Sequence, residues 1–286
     1  MVQSSLWTKR NTYNFTGDLI YLQYPQTTYG LGTHSTFANE NLINSTHLRV
    51  YETISRNIIS DWFIGLGYNL DHRWNVKDFE PADRKTDFRQ YGITPTSTSS
   101  GISVSTTFDS RRNAINPEPG WYWNMAFRTN KKALGSTTNW QSLIIDFRKY
   151  VKLRAQSKNI LAFWSFNWLT LTGKPPYLDL PSTTFDNHSS TGRGFIQGRY
   201  RGRKMVYLES EYRFQISRNG LLGGVAFANA QSFSGWPNNN FERAKAGYGG
   251  GLRFKVNKHS KTNIAIDYGF GSGGSRGFFV NLCEMF

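Results

Sequence analysis

The chain has 286 residues and a net charge of +15, from 34 Lys and Arg against 19 Asp and Glu, and 16% of its residues are Phe, Trp or Tyr. So aromatic a composition excludes a disordered protein, and no apolar stretch approaches the ~20 residues of a membrane helix. Cys283 is the only cysteine, which excludes an intrachain disulfide. No secretory signal opens the sequence, so we expect an exported protein to be present here in its mature form.

The basic residues do not predict nucleic acid binding, because they are spread over most of the length and no RNP, zinc-finger or helix-turn-helix signature accompanies them. A protein that contacts anionic lipopolysaccharide, or one that lines a pore with cations, would carry such a positive net charge as well. The five His have no metal-ligand spacing, and the sequence contains no Gly-x-Ser-x-Gly elbow. We therefore expect no metal, no cofactor and no enzymatic activity.

Taken in chain order, runs rich in aromatic and β-branched residues predict strands. The first clear run starts at residue 12 and is expected to end at Pro25, because proline cannot donate to a ladder. Whether Leu6 and Trp7 form an earlier strand is left open. Counting from residue 12, the sequence predicts twelve strands, at residues 12–24, 46–55, 60–74, 98–108, 120–129, 140–152, 159–171, 204–216, 221–232, 244–256, 262–270 and 276–286.

The third predicted strand shows a clear alternation of apolar and polar residues. Ile64, Leu66 and Tyr68 fall on one face, whereas Asn69 and Asp71 fall on the other. In a soluble β-sandwich the apolar face would be the core. In a membrane barrel it would face lipid, and the polar face would line the lumen.

The connections between the predicted strands alternate in length. Short ones at 55–60, 152–158, 217–220 and 257–261 alternate with long ones at 25–44, 75–97, 172–202 and 233–243, and the turn at 109–120 is intermediate. Short turns at one end and long loops at the other are typical of outer-membrane barrels. We predict an all-β fold, a transmembrane antiparallel β-barrel of about twelve strands forming one domain over residues 1–286. Its long loops are expected to be extracellular and its short turns periplasmic, and a soluble β-sandwich is the alternative.

The longest connection contains Thr191-Gly192-Arg193-Gly194-Phe195, followed by Gly198-Arg199-Tyr200-Arg201 and by the strand that contains Glu209 and Glu211. A loop of this length inside a β domain needs a function or is disordered. These motifs resemble the bacterial surface antigen barrels, the BamA/TamA-like proteins of the outer-membrane-protein-85 superfamily. The Asp-x-Arg-x-Asn…Pro-x-x-Gly turn at 109–120 is also similar to a turn in that family.

The resemblance implies a set of functional residues in the lumen. In the family the loop Arg folds into the barrel and pairs with acidic wall residues, and an Arg buried there needs a carboxylate. We therefore expect residues 172–203 to fold toward the lumen and Arg193 to pair with Glu209 or Glu211. A solvated Arg193 without a fixed partner is the alternative. The expected lumen latch consists of Arg193, Gly194, Phe195, Glu209 and Glu211, and further residues expected to face the lumen are Arg213, Phe227, Asn229 and Asp267.

Two other patterns predict contacts on the outside of the barrel. The alternation of Phe278, Val280 and Leu282 with a terminal Phe286 resembles the assembly signal of outer-membrane barrels. A face of small residues on one strand would permit close packing of a second barrel. A bulky side chain on a neighbouring strand, lying over these positions, would explain the small residues as well. The small residues of this face are Gly224, Ala226, Ala228 and Ala230.

The resemblance implies a bacterial outer-membrane protein in contact with membrane lipids, lipopolysaccharide and, during biogenesis, the assembly machinery. Relatives have sixteen strands and periplasmic polypeptide-transport-associated (POTRA) domains, and we expect neither sixteen strands nor such domains in this sequence. Two functions are open. One is an assembly or translocation factor that acts at a weak seam between the first and last strands; the other is a passive channel, anion-preferring if its lumen is cationic, or a structural barrel.

Overall fold

The computed structural model describes residues 2–113, 115–154, 156–186, 190–257 and 259–286. Most of these residues form one antiparallel sheet. Its thirteen strands are β1 Val2–Trp7, β2 Tyr13–Thr28, β3 Asn41–Ile59, β4 Trp62–Asp78, β5 Ser97–Asp109, β6 Gly120–Asn130, β7 Trp140–Lys152, β8 Ile160–Gly173, β9 Lys204–Gln215, β10 Leu222–Phe233, β11 Lys245–Lys255, β12 Asn263–Gly271 and β13 Ser275–Leu282.

Each strand pairs with the next strand in sequence, in the order β1 to β13. Because every connection is a local antiparallel return, this is the up-and-down topology of a barrel wall. In the described residues β1 and β13 are the two edges, and no ladder joins them. The all-β antiparallel barrel fold predicted from the sequence is confirmed, with an open seam between its first and last strands.

The strand count differs from the prediction by one. Val2–Trp7 is a strand paired with residues 14–19 of β2, whereas the sequence left this segment open. Pro25 does not end β2, which continues to Thr28. Beyond Leu19, β1 no longer covers β2, and a strand with one free side tolerates proline.

The two ends of the barrel differ as the connection lengths predict. One end, here called the long-loop end, carries the connections 29–40, 79–96, 131–139, 174–203, 234–244 and 272–274. The other, the short-turn end, carries 8–12, 60–61, 110–119, 153–159, 216–221 and 256–262. The long loops contain the only α-helix of the described residues, Asp87–Tyr91, and 3-10 turns at Phe37–Asn39, Lys132–Leu134, Tyr177–Asp179 and Ser272–Gly274; a further one, Lys9–Asn11, lies at the short-turn end. No described helix is long and apolar enough to cross a membrane.

The two faces of β4 carry the residues that the alternation assigns to them. Ile64, Leu66 and Tyr68 are exposed on the outer face, whereas Asn69 and Asp71 are buried on the inner face. The same arrangement holds elsewhere in the sheet. Exposed apolar side chains therefore form the outer surface, which suits a wall surrounded by lipid.

The lumen is not polar throughout, which the sequence did not predict. Where β7 to β10 face inward, aromatic side chains fill the interior. Trp164 packs against Tyr207 at a ring distance of 5.2 Å. The buried cluster comprises Tyr150, Ala162, Trp164, Phe166, Phe195, Tyr200, Met205, Tyr207, Phe233, Met285 and Phe286.

Candidate functional site in the lumen

The loop 174–203 turns back into the barrel through three glycines. Gly192, Gly194 and Gly198 have φ angles of 76°, 93° and 75°, in the left-handed region that other residues adopt only at a cost. At Gly194 the loop also touches the wall, because a Cβ added at Gly269 would lie 2.8 Å from the Gly194 Cα. The two glycines flanking Arg193 therefore permit both the turn and the close approach.

The Arg193 guanidinium lies among three carboxylates of the inner wall. Its Nη1 donates to Asp267 Oδ2 at 2.8 Å, and its Nη2 donates to Glu209 and Glu211. All four side chains are fully buried. Each carboxylate thus meets the opposite charge that its burial requires.

Phe227 and Asn229 hold the same arginine from β10. The guanidinium carbon lies 3.9 Å from the centre of the Phe227 ring, a distance suited to a cation–π contact. Asn229 Nδ2 donates to the main-chain oxygen of Arg193 at 2.8 Å. The neutral Asn229 amide therefore holds the loop backbone. An Asp at position 229 would add a negative charge beside Arg193 but would have no N–H to donate to this oxygen.

The ion cluster continues from Arg193 toward the short-turn end. Arg213 Nε donates to Glu211 at 2.5 Å, and Arg253 Nη1 donates to Asp267 at 2.5 Å. Arg253 Nε then donates to Glu284 Oε2 at 2.7 Å. One connected set of charges therefore joins the loop to the carboxyl-terminal residues, and sequence reasoning placed Asp267 in the wall without identifying it as a partner of Arg193.

The structure separates the four residues of the expected assembly signal. Phe278, Val280 and Leu282 are exposed on the outer face of β13. Phe286 is buried instead, because β13 ends at Leu282 and Cys283 adopts a φ of 90°. The Phe286 ring stacks on Trp164 at 5.1 Å inside the lumen. The alternation predicted a strand to residue 286, and the chain turn at Cys283 corrects it.

A second buried charge cluster lies on β3, β4 and β6. Asp71 accepts hydrogen bonds from Arg49 Nε at 3.1 Å, Tyr51 OH at 2.5 Å and Arg128 Nη1 at 2.9 Å. His47 Nε2 lies 3.0 Å from the same carboxylate. The sequence placed Asp71 on the polar face of its strand but gave no signal for these partners, which come from two other strands.

The loops close over the long-loop end around an apolar cluster that includes Ile43, Phe88 and Tyr177. Asp87 accepts from the main-chain nitrogen of Leu31 at 2.7 Å, which ties two loops together. Beneath them, Arg201 is fully buried and donates to main-chain oxygens of residues 177 and 180. Burial lowers the pKa of Arg201 to about 10, and the nearby charge of Arg73 acts in the same direction.

A cavity of about 820 Å³ lies behind the seam, at the lumen side of β2 and the carboxyl-terminal residues. Its wall includes Ile20, Leu22 and Tyr24 from β2, and Leu282 and Met285 from the opposite side. These inward residues of β2 are apolar, although its outward residues Leu19 and Tyr21 are apolar too. From Leu19 to Leu22, where β1 ends, β2 is therefore apolar on both faces.

The sequence and the fold were compared with known proteins. The profile of the Omp85 superfamily domain matches residues 4–271. Among curated proteins, no sequence matches the chain. Among solved structures, the chain is similar to the crystal structure of BamA from Haemophilus ducreyi lacking POTRA domains 1-3, with a TM-score of 0.66 and 14% identity. The alignment covers 97% of this chain and 59% of that one, so the chain spans about three fifths of its length. At this identity the similarity concerns the fold alone.

Proposed function

Because the chain belongs to the Omp85 superfamily, we propose that it is a bacterial outer-membrane barrel that inserts or translocates other polypeptides at the seam between β1 and β13. The observation that carries this proposal is the open seam with its cavity of about 820 Å³. Unpaired strand edges are templates for an added strand. The proposal assigns client contact to the strand edges at this seam.

Burial of the Arg193 loop supports a second part of the proposal, that residues 172–203 fold toward the lumen and are held there by the lumen latch. Three carboxylates inside the wall hold this loop through Arg193. We propose that the latch keeps the barrel closed between clients. Outer-membrane lipids surround the apolar outer face, lipopolysaccharide contacts the long-loop end, and the assembly machinery inserts the barrel itself.

Crosslinking to a client tests the seam. A photoreactive residue at Gln3, on β1 beside the seam cavity, is expected to crosslink an unfolded outer-membrane protein added to the reconstituted barrel. The matched control is the same residue at Ser103 on β5, a strand that pairs with neither β1 nor β13. Adducts at Gln3 but not at Ser103 support the proposal. Equal adducts at both positions, or none at Gln3, contradict it.

A passive channel is the second candidate, and a different cavity favours it. This cavity, of about 620 Å³, is lined by Thr53, Ser103, Ser105 and other hydroxyl-bearing residues, together with two arginines and two carboxylates, Arg49, Arg128, Asp18 and Asp109. Hydroxyl groups and arginines are suited to the passage of small anions. Steady anion-selective conductance of the unmodified protein would favour this function over assembly.

A homodimer through the small-residue face of β10 is a further proposal. Ala226 and Ala228 are exposed on the outer face. Gly224 is covered by its neighbour, since an added Cβ would lie 2.6 Å from the Phe214 ring. The bulky neighbour thus explains the glycine, and only the alanines of this face are left for contact with a second barrel.

A further inference from the structure

The short-turn mouth of the lumen contains a cavity that neither the latch nor the seam uses. It has a volume of about 460 Å³ and lies between the turns 153–159, 216–221 and 256–262 and the connection 115–119. This volume falls in the range of ~300–1,000 Å³ that small-molecule sites occupy. We propose that this cavity binds a phosphate group. The inference does not depend on the proposed assembly function.

Charge is the first argument for an anion. Six cationic side chains line the cavity against two carboxylates, Glu118 and Glu284. Both carboxylates are already paired, Glu118 with Lys261 and Glu284 with Arg253. The four remaining cations of the lining are Lys152, Lys158, Arg213 and Lys255.

The three lysines of that set are uncommitted. Among the described residues, Lys152, Lys158 and Lys255 form no ion pair with a carboxylate. Lys152 and Lys158 lie on β7 and the turn that follows it, whereas Lys255 comes from β11, far away in sequence. Folding therefore concentrates positive charge around one concave space, where low-dielectric walls strengthen its attraction for anions.

Arg213 gives the second, independent argument. It is 7% exposed and lines the same cavity. Its Nε donates to Glu211 and its Nη2 to the main-chain oxygen of Phe286, but its Nη1 has no partner among the described residues. A buried charged donor without an acceptor is costly. Because Nη1 is closed to solvent, a ligand oxygen would complete its hydrogen bonds only after the guanidinium turns toward the cavity.

A phosphate group matches this set of donors. It presents several anionic oxygens at once, which an arginine fork and mobile lysine ammonium groups can bind together. The cavity also borders Leu221, an apolar residue 39% exposed at the rim. The phosphate could thus belong to a free anion or to the headgroup of an anionic phospholipid, and both present the same chemistry to these residues.

Calorimetry on the protein in dodecyl maltoside micelles distinguishes the two sources. The probes are inorganic phosphate and dihexanoyl phosphatidylglycerol, each added to the unmodified protein and to a Lys152→Gln, Lys158→Gln, Lys255→Gln variant. We expect the barrel to stay folded without these lysines, because they lie at its short-turn end and form no ion pair among the described residues. We expect this triple variant to raise the Kd by roughly a hundredfold, since each of the three cations near an anionic headgroup contributes roughly a fivefold preference.

The matched control replaces Lys131, Lys132 and Lys174, three lysines of the long-loop end, with Gln. It should leave the Kd unchanged, and both variants should keep the heat-modifiable gel migration of a folded barrel. If both probes bind, and only the variant that lacks Lys152, Lys158 and Lys255 binds them more weakly, the site recognises the phosphate group itself. Binding of the lipid alone with the same pattern supports a headgroup site. No binding of either probe, or equal weakening by both variants, overturns the inference.

Discussion

Arg193→Ala is expected to lower the free energy of unfolding by about 3–5 kcal/mol, the usual cost of removing one partner from a buried ion pair. The substitution would leave Glu209 without a cation and would remove one of the cations around Glu211 and Asp267, all of them fully buried. The measurement is urea unfolding in micelles, followed by the gel mobility of the folded barrel.

Two matched variants separate the latch from a general effect of losing an arginine. Arg218→Ala removes an exposed arginine from a short turn, and should change the stability by no more than about 0.5 kcal/mol. Arg193→Lys keeps the charge but not the fork that reaches three carboxylates, so an intermediate loss is expected. Equal stability of the Arg193→Ala variant and the unmodified protein would contradict the assigned ion pairs.

Asp71→Ala should be the second most damaging substitution, for the opposite reason. It would leave Arg49 and Arg128 without the carboxylate that both contact, in a part of the wall formed by three strands. The expected loss is again about 3–5 kcal/mol, measured by the same unfolding assay. Arg49 keeps a longer contact of 3.9 Å with Asp18, so the loss of unfolding free energy is expected toward the lower end of that range.

Asp61→Ala is the control for this prediction, because Asp61 lies exposed in a two-residue turn. If Asp71→Ala proved as harmless as Asp61→Ala, the cluster would not stabilise the wall. A partly restored stability in the double variant Asp71→Ala, Arg128→Met would support the account, since it removes one of the two arginines that Asp71→Ala leaves uncompensated.

Local patterns predicted the wall well, because the period of two in a strand separates lipid-facing from lumen-facing residues at every position. The alternation of β4 is an example, since Ile64 and Leu66 are exposed and Asp71 is buried. The pattern gave less information at the strand ends. Proline ends a strand only where the ladder needs an N–H donor, which proline lacks. Pro25 lies past Leu19, the last residue of β2 that pairs with β1, so no such donor is needed on that side.

Long-range partners were predictable only where a single strand carried them. Glu209 and Glu211 alternate on one strand directly after the loop, so their common face could be read from the sequence. Asp267 lies on β12, and its contact with Arg193 depends on how far the barrel curves. The aromatic filling of the lumen around Trp164 was missed for a related reason, since alternation shows which residues share a face but not which face is inside.

The carboxyl-terminal residues illustrate the same limit. Phe286 continues the spacing of an aromatic strand end, yet the chain turns at Cys283 and places its ring on Trp164. What holds it inward is nonlocal: Arg213 donates to its main-chain oxygen at 2.9 Å, and Glu284 pairs with Arg253. These are the arginines that also contact the carboxylates around Arg193, so the loop and the chain end share one charge cluster.

Conductance across a planar lipid bilayer tests the central claim, that the loop latches the lumen through Arg193. The unmodified protein should be nearly silent, and Arg193→Ala should produce frequent large steps. Gly269→Val, in which the added side chain would meet the Gly194 backbone, should open the barrel in the same way while keeping all the charges. Steady steps of equal size in all three proteins would contradict the claim and favour a permanently open channel.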